Sequence, residues 1–292
     1  MTQVRFCFFL AACLCTDSLL WAAENVASGN AGNETEPLWE LGFGAGVLHV
    51  PGYPGSAANQ VRALALPTVV YRGDILRIGD GQTVRAVAFE SNRIELDLSF
   101  AAAFNADTRA GELREGMPDL DYIFQVGPQV KIDLANVIFP DQTTGDLTLA
   151  LQARGVFSTD LGRIDHHGYV FEPMLQYKHT DFFVPELDVT LSLKPQWASR
   201  GLHAYFFEVA PTFVKPGRPA YRARSGYFGT GLNLYANYRF SSRFNAFFGV
   251  QTTSHHGAAN TASPLYEKNF TIGFGAGLIL NLFASSRPAL SE

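Results

Sequence analysis

The stretch Ile94-Glu95-Leu96-Asp97-Leu98-Ser99-Phe100 alternates apolar and polar residues without a break. Successive side chains of an extended strand point to opposite faces, so one face here is apolar and the other carries Glu95, Asp97 and Ser99. The same period recurs along the chain. Tyr122, Phe124, Val126, Val130, Ile132 and Leu134 alternate with Gln125, Gln129, Lys131 and Asp133. Leu187, Val189, Leu191 and Leu193 alternate with Asp188, Thr190, Ser192 and Lys194, and Leu232, Leu234, Ala236, Tyr238 and Phe240 with Asn233, Asn237 and Arg239. Period two marks a strand with one apolar face.

Length separates the possible sheets. Strands of soluble proteins usually run about 5–6 residues, whereas these runs extend to about 11–14, enough for a tilted strand to cross a bilayer. Charges on the polar face are costly in a sandwich core and normal in a hydrated lumen. An open sheet would leave unpaired backbone groups in lipid, so the sheet must close. The fold expected is all-β: a transmembrane antiparallel β-barrel of about 12 strands within residues 37–283. The strands fall at 38–50, 61–78, 82–90, 93–104, 120–134, 145–158, 168–179, 186–197, 204–214, 227–240, 242–252 and 268–283. Both Arg72-Gly73-Asp74 and Gly79-Asp80-Gly81 can turn the chain, but residues 75–78 between them are too few to span, so one turn is counted. The Asp-Gly pair is the stronger hairpin signal.

With both ends periplasmic, this count sends Pro51–Gln60, Ala135–Thr144, His179–Pro185, Lys215–Gly226 and Thr253–Glu267 outside the cell. It sends Asn105–Asp119, Thr159–His167, Ala198–His203 and the Ser241-Ser242 turn inside. Inner connections of that length depart from the usual asymmetry of such barrels.

Composition agrees with a barrel and excludes other classes. Of 292 residues, 47% are apolar and 17% charged, yet after the N-terminus polar residues interrupt every apolar run. None reaches the roughly 20 residues of a spanning helix. Twenty-seven glycines and 24 phenylalanines suit strands and interfacial girdles. The net charge of −5 and the lack of a basic stripe exclude a nucleic-acid partner. Cys7, Cys13 and Cys15 are the only cysteines, so a chain cleaved after them has none. That excludes zinc-finger, thioredoxin-like and cysteine-nucleophile chemistry for the exported form.

Residues 1–23 read as a signal peptide: Arg5, the apolar run Phe6–Ala12, more apolar sequence at Leu19–Ala23, and cleavage after Ala22 or Ala23. Leu10-Ala11-Ala12-Cys13 also offers a lipoprotein signal with acylation at Cys13. Residues 24–36 (ENVASGNAGNETE) read as a disordered leader and 284–292 as a C-terminal tail.

HVPGYPGS (49–56), LPTVVYRGD (66–74), RIELDLSFAAAF (93–104), GMPDLDYIFQVGP (116–128), RPAYRARSGYFGTGL (218–232) and TASPLYEKNFTIGFGAGL (261–278), in this order, resemble the MipA/OmpV family of outer-membrane proteins. The resemblance runs from about Trp39 to Phe283. It implies a barrel in the outer membrane, in contact with its lipid and lipopolysaccharide, with no known catalytic site and no cofactor. It also implies a scaffold joining a murein lytic transglycosylase to a penicillin-binding protein; other relatives are linked to adhesion or solute passage. Gly52 stands where the family more often has a polar residue. The chain does not end on an aromatic: Phe283 precedes ASSRPALSE, and it falls on the face opposite Phe270, Ile272, Phe274, Leu278, Leu280 and Leu282.

Other chemistry finds little support. His166-His167 and His255-His256 are adjacent pairs that point to opposite faces, with no cysteine or spaced carboxylate to complete a metal site. Ser and His occur near several strand ends, but no Gly-x-Ser-x-Gly elbow is present, and a triad is defined by geometry rather than sequence. Arg72-Gly73-Asp74 reads as a strand or turn element. The inward charges Glu95, Asp97, Lys131, Asp133, Arg154, Glu172, Lys178, Asp188, Lys194 and Arg239 are mixed in sign, which favours salt-bridged filling over a wide pore.

Two function classes follow: a scaffold that docks periplasmic murein enzymes, and a narrow channel for small solutes. An adhesin is a third, on the aromatic and basic loop Lys215–Gly226. The expected docking surface is the connection Asn105–Asp119, through Asp107, Arg109, Glu112, Arg114, Glu115, Met117, Pro118 and Asp119. It is long and charged with both signs, and Pro118 stiffens its exit. Asp160, Arg163 and Asp165 extend that polar rim.

Overall fold

The computed structural model describes residues 37–73, 76–78, 84–86, 89–91, 93–103, 105–106 and 112–287. The segments read from sequence as a signal peptide (1–23) and a leader (24–36), with residues 288–292, Asp107 and Arg109, lie outside them. Ten strands have ten residues or more: β1 (Trp39–Pro51), β2 (Asn59–Arg72), β6 (Ile94–Ala103), β7 (Tyr122–Ile138), β8 (Thr144–Thr159), β9 (Ile164–Thr180), β10 (Leu187–Ala198), β11 (Gly226–Ser241), β12 (Phe244–Ser254) and β13 (Phe270–Ala284). Three short ones complete the set: β3 (Leu76–Ile78), β4 (Val84–Ala86) and β5 (Phe89–Ser91).

All pair antiparallel with their neighbours in one sheet, and β1 pairs with β13 from Glu40↔Ala284 to His49↔Phe274. The remaining ends of the sheet order, β4 and β5, are only two residues apart in the chain, and β4 lies against β6. The sheet therefore returns on itself. Among the described residues, ten long strands build the wall, and β3, β4 and β5 add three short ones.

The polarity of the wall is that of a membrane barrel. Outward side chains such as Phe43, Val47, Leu98, Phe100, Leu193, Leu234 and Phe274 are large, apolar and exposed. Asp97, Gln129, Gln152, Arg154, Glu172, Asp188, Asn233 and Asn237 point inward and are buried. In water this arrangement would forfeit the hydrophobic effect; in lipid it places each face in its preferred medium. Phe171, Trp197 and Tyr227 form an outward aromatic row near one rim, with ring centroids 6.3 and 5.7 Å apart. Phe139, Tyr177, His179 and Phe182 form a counterpart at the other. No helix among the described residues is long and apolar enough to cross a membrane.

Phe283 reaches the outer face through a shift of register: it pairs with Leu41, while Asn281 pairs with the next residue, Gly42. The two residues on β13 against one on β1 form a bulge. Phe283 is exposed beside the other outward residues.

Two segments depart from the expected strands. Residues 204–214 are not a strand. Helix α1 (Arg200–Phe207) and a 3-10 turn, Pro211–Phe213, occupy that stretch. Leu202 and Phe206, like His203 and Phe207, are four residues apart and share the buried face, a helical spacing. β10 pairs directly with β11, from Leu187↔Tyr238 to Ala198↔Gly226, which leaves no place for a strand between them. Residues 61–78 are also not one strand. β2 ends at Arg72, and β3 returns beside it with Tyr71↔Ile78. Both candidate turns therefore reverse the chain, because β3 need not span: it covers only one end of the wall.

The missed strand and the supposed one offset each other in the count, but every loop between them changes sides. The connections 52–58, 104–121, 160–163, 199–225 and 255–269 all lie at one end, hereafter the capped end. The connections 73–75, 139–143, 181–186 and 242–243 lie at the other, with Trp39 and Ala284. This is the turn end. Asn105–Asp119, Thr159–His167 and Ala198–His203 thus join Pro51–Gln60 rather than oppose it. Ala135–Thr144 and His179–Pro185 move to the turn end.

The short hairpin leaves a seam. β3 meets β2 only at Tyr71 and Arg72, and β5 meets β6 only at Ile94–Leu96. Among the described residues, the rest of β2 and β6 is paired on one edge only. Side chains bridge the seam: Arg62 donates to the Asn105 carbonyl at 3.1 Å, and Gln60 does so at 3.4 Å.

Candidate functional site

The capped end is a small folded core set inside the mouth of the barrel. Leu202, Phe206 and Phe207 of α1 pack with Tyr53, Leu120 and Phe228 from three other parts of the chain. Each such side chain contributes about 1.5–3 kcal/mol on full burial, so the cap is held by apolar packing rather than by strand pairing. Hydrogen bonds then fix the loops to it. Tyr53 donates to the Leu265 carbonyl at 2.7 Å, and Ser263 to that of Phe207 at 2.7 Å. Asn260 accepts from the Arg224 amide at 2.9 Å and donates to its carbonyl at 2.8 Å. Burial raises the Tyr53 and Tyr205 hydroxyls to about 12, so both stay protonated donors.

Two arginines tie the loops together. Arg114 is buried and donates to the carbonyls of Phe206 at 3.2 Å and Pro118 at 3.1 Å, with its guanidinium 6.0 Å from the Tyr53 ring centre. Burial lowers its pKa. Arg218 donates to the carbonyls of Leu113 at 2.7 Å, Glu115 at 2.9 Å and Phe213 at 2.8 Å. A guanidinium presents a fixed fork of donors, so one side chain can satisfy several turn carbonyls.

Two histidines brace the floor of the cap. His203 Nε2 donates to the Gly226 carbonyl at 3.2 Å and His255 Nδ1 to that of Phe228 at 3.1 Å. Burial lowers the pKa of each, which favours the neutral ring. His166 and His167 diverge, as their spacing requires. His166 lies 5.1 Å from the Tyr169 ring, while His167 turns inward, 2.8 Å from Ser158 Oγ and 4.3 Å from the Tyr205 ring. Ser158 is buried, and its bond to His167 ties β8 to β9. No group of three or more metal-binding side chains occurs among the described residues.

The expected docking residues take unequal places. Glu115, Pro118 and Asp119 are exposed, Glu112 and Met117 half-buried. Glu115 pairs with Lys215 at 3.4 Å. Arg114, read from sequence as part of a charged rim, is an internal tie. The segment Glu112–Asp119 belongs to the capped end, away from the termini.

Below the cap, polar side chains link neighbouring strands along the lumen wall at several heights. Arg154 meets Glu172 at 3.0 Å and also bonds Gln125, Ser99 and Gln152. Gln196 donates to the other Glu172 oxygen at 2.8 Å. Asp97 accepts from Gln129 at 2.9 Å and lies 3.6 Å from Lys131. Nearer the turn end, Arg239 pairs with Asp188 at 2.7 Å and Arg72 with Glu40 at 2.8 Å. The charges of opposite sign noted in the sequence therefore pair between neighbouring strands along the inner wall. On the β1–β13 side the wall is lined by glycine: a Cβ at Gly277 would collide with the Phe247 ring, which fills the lumen there.

A curled antiparallel sheet with an apolar outer belt, a polar interior and long connections gathered at one end defines an outer-membrane β-barrel. The chain belongs to the family of MltA-interacting protein MipA, whose family model matches residues 43–279. No curated protein sequence matches it. Among solved structures it is similar to the translocator domain of autotransporter NalP from Neisseria meningitidis, at 10% identity over 91% of this chain and 94% of that one, TM-score 0.36. An outer-membrane channel from Pseudomonas putida F1 is similar at 10% identity over 87% and 100%, TM-score 0.35.

Proposed function

We propose that this barrel is a docking protein of the outer membrane whose partner surface is the turn end. Outer-membrane barrels keep short turns in the periplasm and long loops outside. By that rule the capped end faces the exterior and the turn end the cell wall. The partner class is the one the family description implies, a murein lytic transglycosylase, with a penicillin-binding protein as a second candidate.

The observation that carries this reading is the blocked lumen. A packed cap closes one end, and inward side chains such as Leu48, Tyr235 and Phe247 are buried against one another below it, which suits a scaffold better than an open pore. The turn Asp181–Glu186 supplies a contact. Phe183 is 90% exposed, and Asp181, Phe183 and Glu186 all hold positive φ. Bulky residues are rarely left-handed, and such strain clusters at binding sites. Glu186 N–H donates to Asp181 Oδ1 at 2.7 Å, which holds the turn in shape. The described segment Glu112–Asp119 would face the exterior in this orientation, out of reach of a periplasmic enzyme.

Mild cross-linking of native envelopes followed by purification of the barrel tests the reading. Murein enzymes should co-purify, and capture should fall when Asp181–Glu186 is replaced by a Gly/Ser turn. Undiminished capture by that variant would reject the turn end as the docking surface. A second reading, a narrow path for small solutes, is favoured by a chamber beneath the cap. Single-channel conductance in planar bilayers tests it.

A further inference from the structure

Between the cap and the Arg154 network lies a chamber of about 180 Å³. Its ceiling is apolar, formed by Tyr53, Leu202, Phe206 and Phe228. Its floor is polar, formed by Lys194 and Glu172 among amide side chains. A cavity of about 150 Å³ can hold benzene. This one has room for a single ring and a small head group.

The charge of the floor selects that head group. Glu172 is neutralised by Arg154, and its two oxygens are occupied by Arg154 and Gln196. Lys194 also bears on Glu172, so two cations share one carboxylate and one positive charge is in excess among these floor groups. With the Asn233 amide turned so that its oxygen faces the ammonium, Lys194 Nζ donates to it at 3.0 Å. An ammonium has three protons to donate, so it can still bind an anion. Asp121 also lines the chamber, but it sits toward the rim, where its backbone N–H donates to the Tyr205 hydroxyl at 2.7 Å.

We propose that this chamber binds a small aromatic monocarboxylate, ring upward against Phe206 and Phe228 and carboxylate downward on Lys194. Gln60 of β2 and Ala103 of β6 also line it, so it abuts the seam in the wall. Binding of this kind requires neither partner docking nor conduction.

The test uses the assembled barrel in detergent, with folding judged by heat-modifiable gel migration and 4-fluorobenzoate followed by fluorine NMR. Binding should saturate and be displaced by benzoate. Benzyl alcohol should compete at least about tenfold less well, since a charge-assisted hydrogen bond is lost, and benzylamine should not compete. Lys194→Met should weaken binding by a similar factor. Gly231→Leu should abolish it. Gly231 lines the chamber, and a Cβ there would approach nothing closer than 3.8 Å, so the larger side chain enters the cavity without straining the wall. If Lys194→Met fails to assemble, Gly231→Leu and the ligand series still decide. The proposal is overturned by absence of saturable binding, by benzylamine competing as well as benzoate, or by full binding in folded Gly231→Leu barrels.

Discussion

The two ends of this barrel are closed by different physics. At the capped end, loops from four parts of the sequence fold into an apolar core around Phe206, and Arg114 and Arg218 hold their carbonyls. At the turn end there is no such core among the described residues. Charge pairs line the lumen there, and the short turns leave Phe183 almost fully exposed. The capped end spends apolar surface on closing the barrel. The turn end keeps an aromatic side chain outside its own packing, which costs stability and makes sense where another surface covers it.

The contrast is sharpest in stability. Phe206→Ala should destabilise the cap by about 3–5 kcal/mol, the usual range for an aromatic lost from a core. Phe183→Ala should change stability by less than about 0.5 kcal/mol. Limited proteolysis of the assembled barrel, with cleavage mapped in 199–225 and in 181–186, measures both. Similar losses at the two ends would break the comparison.

Arg218→Met should come next, at roughly 1.5–3 kcal/mol, because three partly buried turn carbonyls lose a charged donor. Faster hydrogen exchange in 112–121 and 211–218, with unchanged exchange in β10 and β11, would show that the cap loosens alone.

A smaller effect is expected from pH. Burial lowers the pKa of His203 and His255 below the ordinary value of 6.5, so the opened cap binds protons before the closed cap does. The cap should hold its full stability above about pH 6.5 and lose it as pH falls toward the lowered values. His203→Gln with His255→Gln should flatten this dependence in the proteolysis assay. The turn end should show no matching change.

The wall was legible in the sequence and the cap was not. Alternation at Ile94–Phe100 and Leu187–Lys194 predicts which side chains face lipid, because the strand period is strict and the belt enforces it. The mixed inward charges predict pairs such as Arg154–Glu172 for the same reason. Residues 204–214 do not form the expected strand because the i, i+4 pairs Leu202/Phe206 and His203/Phe207 carry a helical period there. β3 falls outside the expected count because its three residues are too few to span. Those two misreadings inverted the loops between them, Asn105–Asp119 included. Arg114 looked like a surface charge because its acceptor, the Phe206 carbonyl, is 92 positions away. Contacts of that range leave no local pattern.

The orientation of the two ends decides the account most directly. If the three cysteines near the N-terminus leave with a signal peptide, single cysteines at exposed Arg222 and Phe183 are clean reporters. Intact cells would be treated with a membrane-impermeant maleimide and compared with permeabilised ones. Arg222→Cys at the capped end should label in intact cells, and Phe183→Cys at the turn end only after permeabilisation. Labelling of Phe183→Cys in intact cells, with Arg222→Cys protected, would reverse the barrel and contradict docking at the turn end.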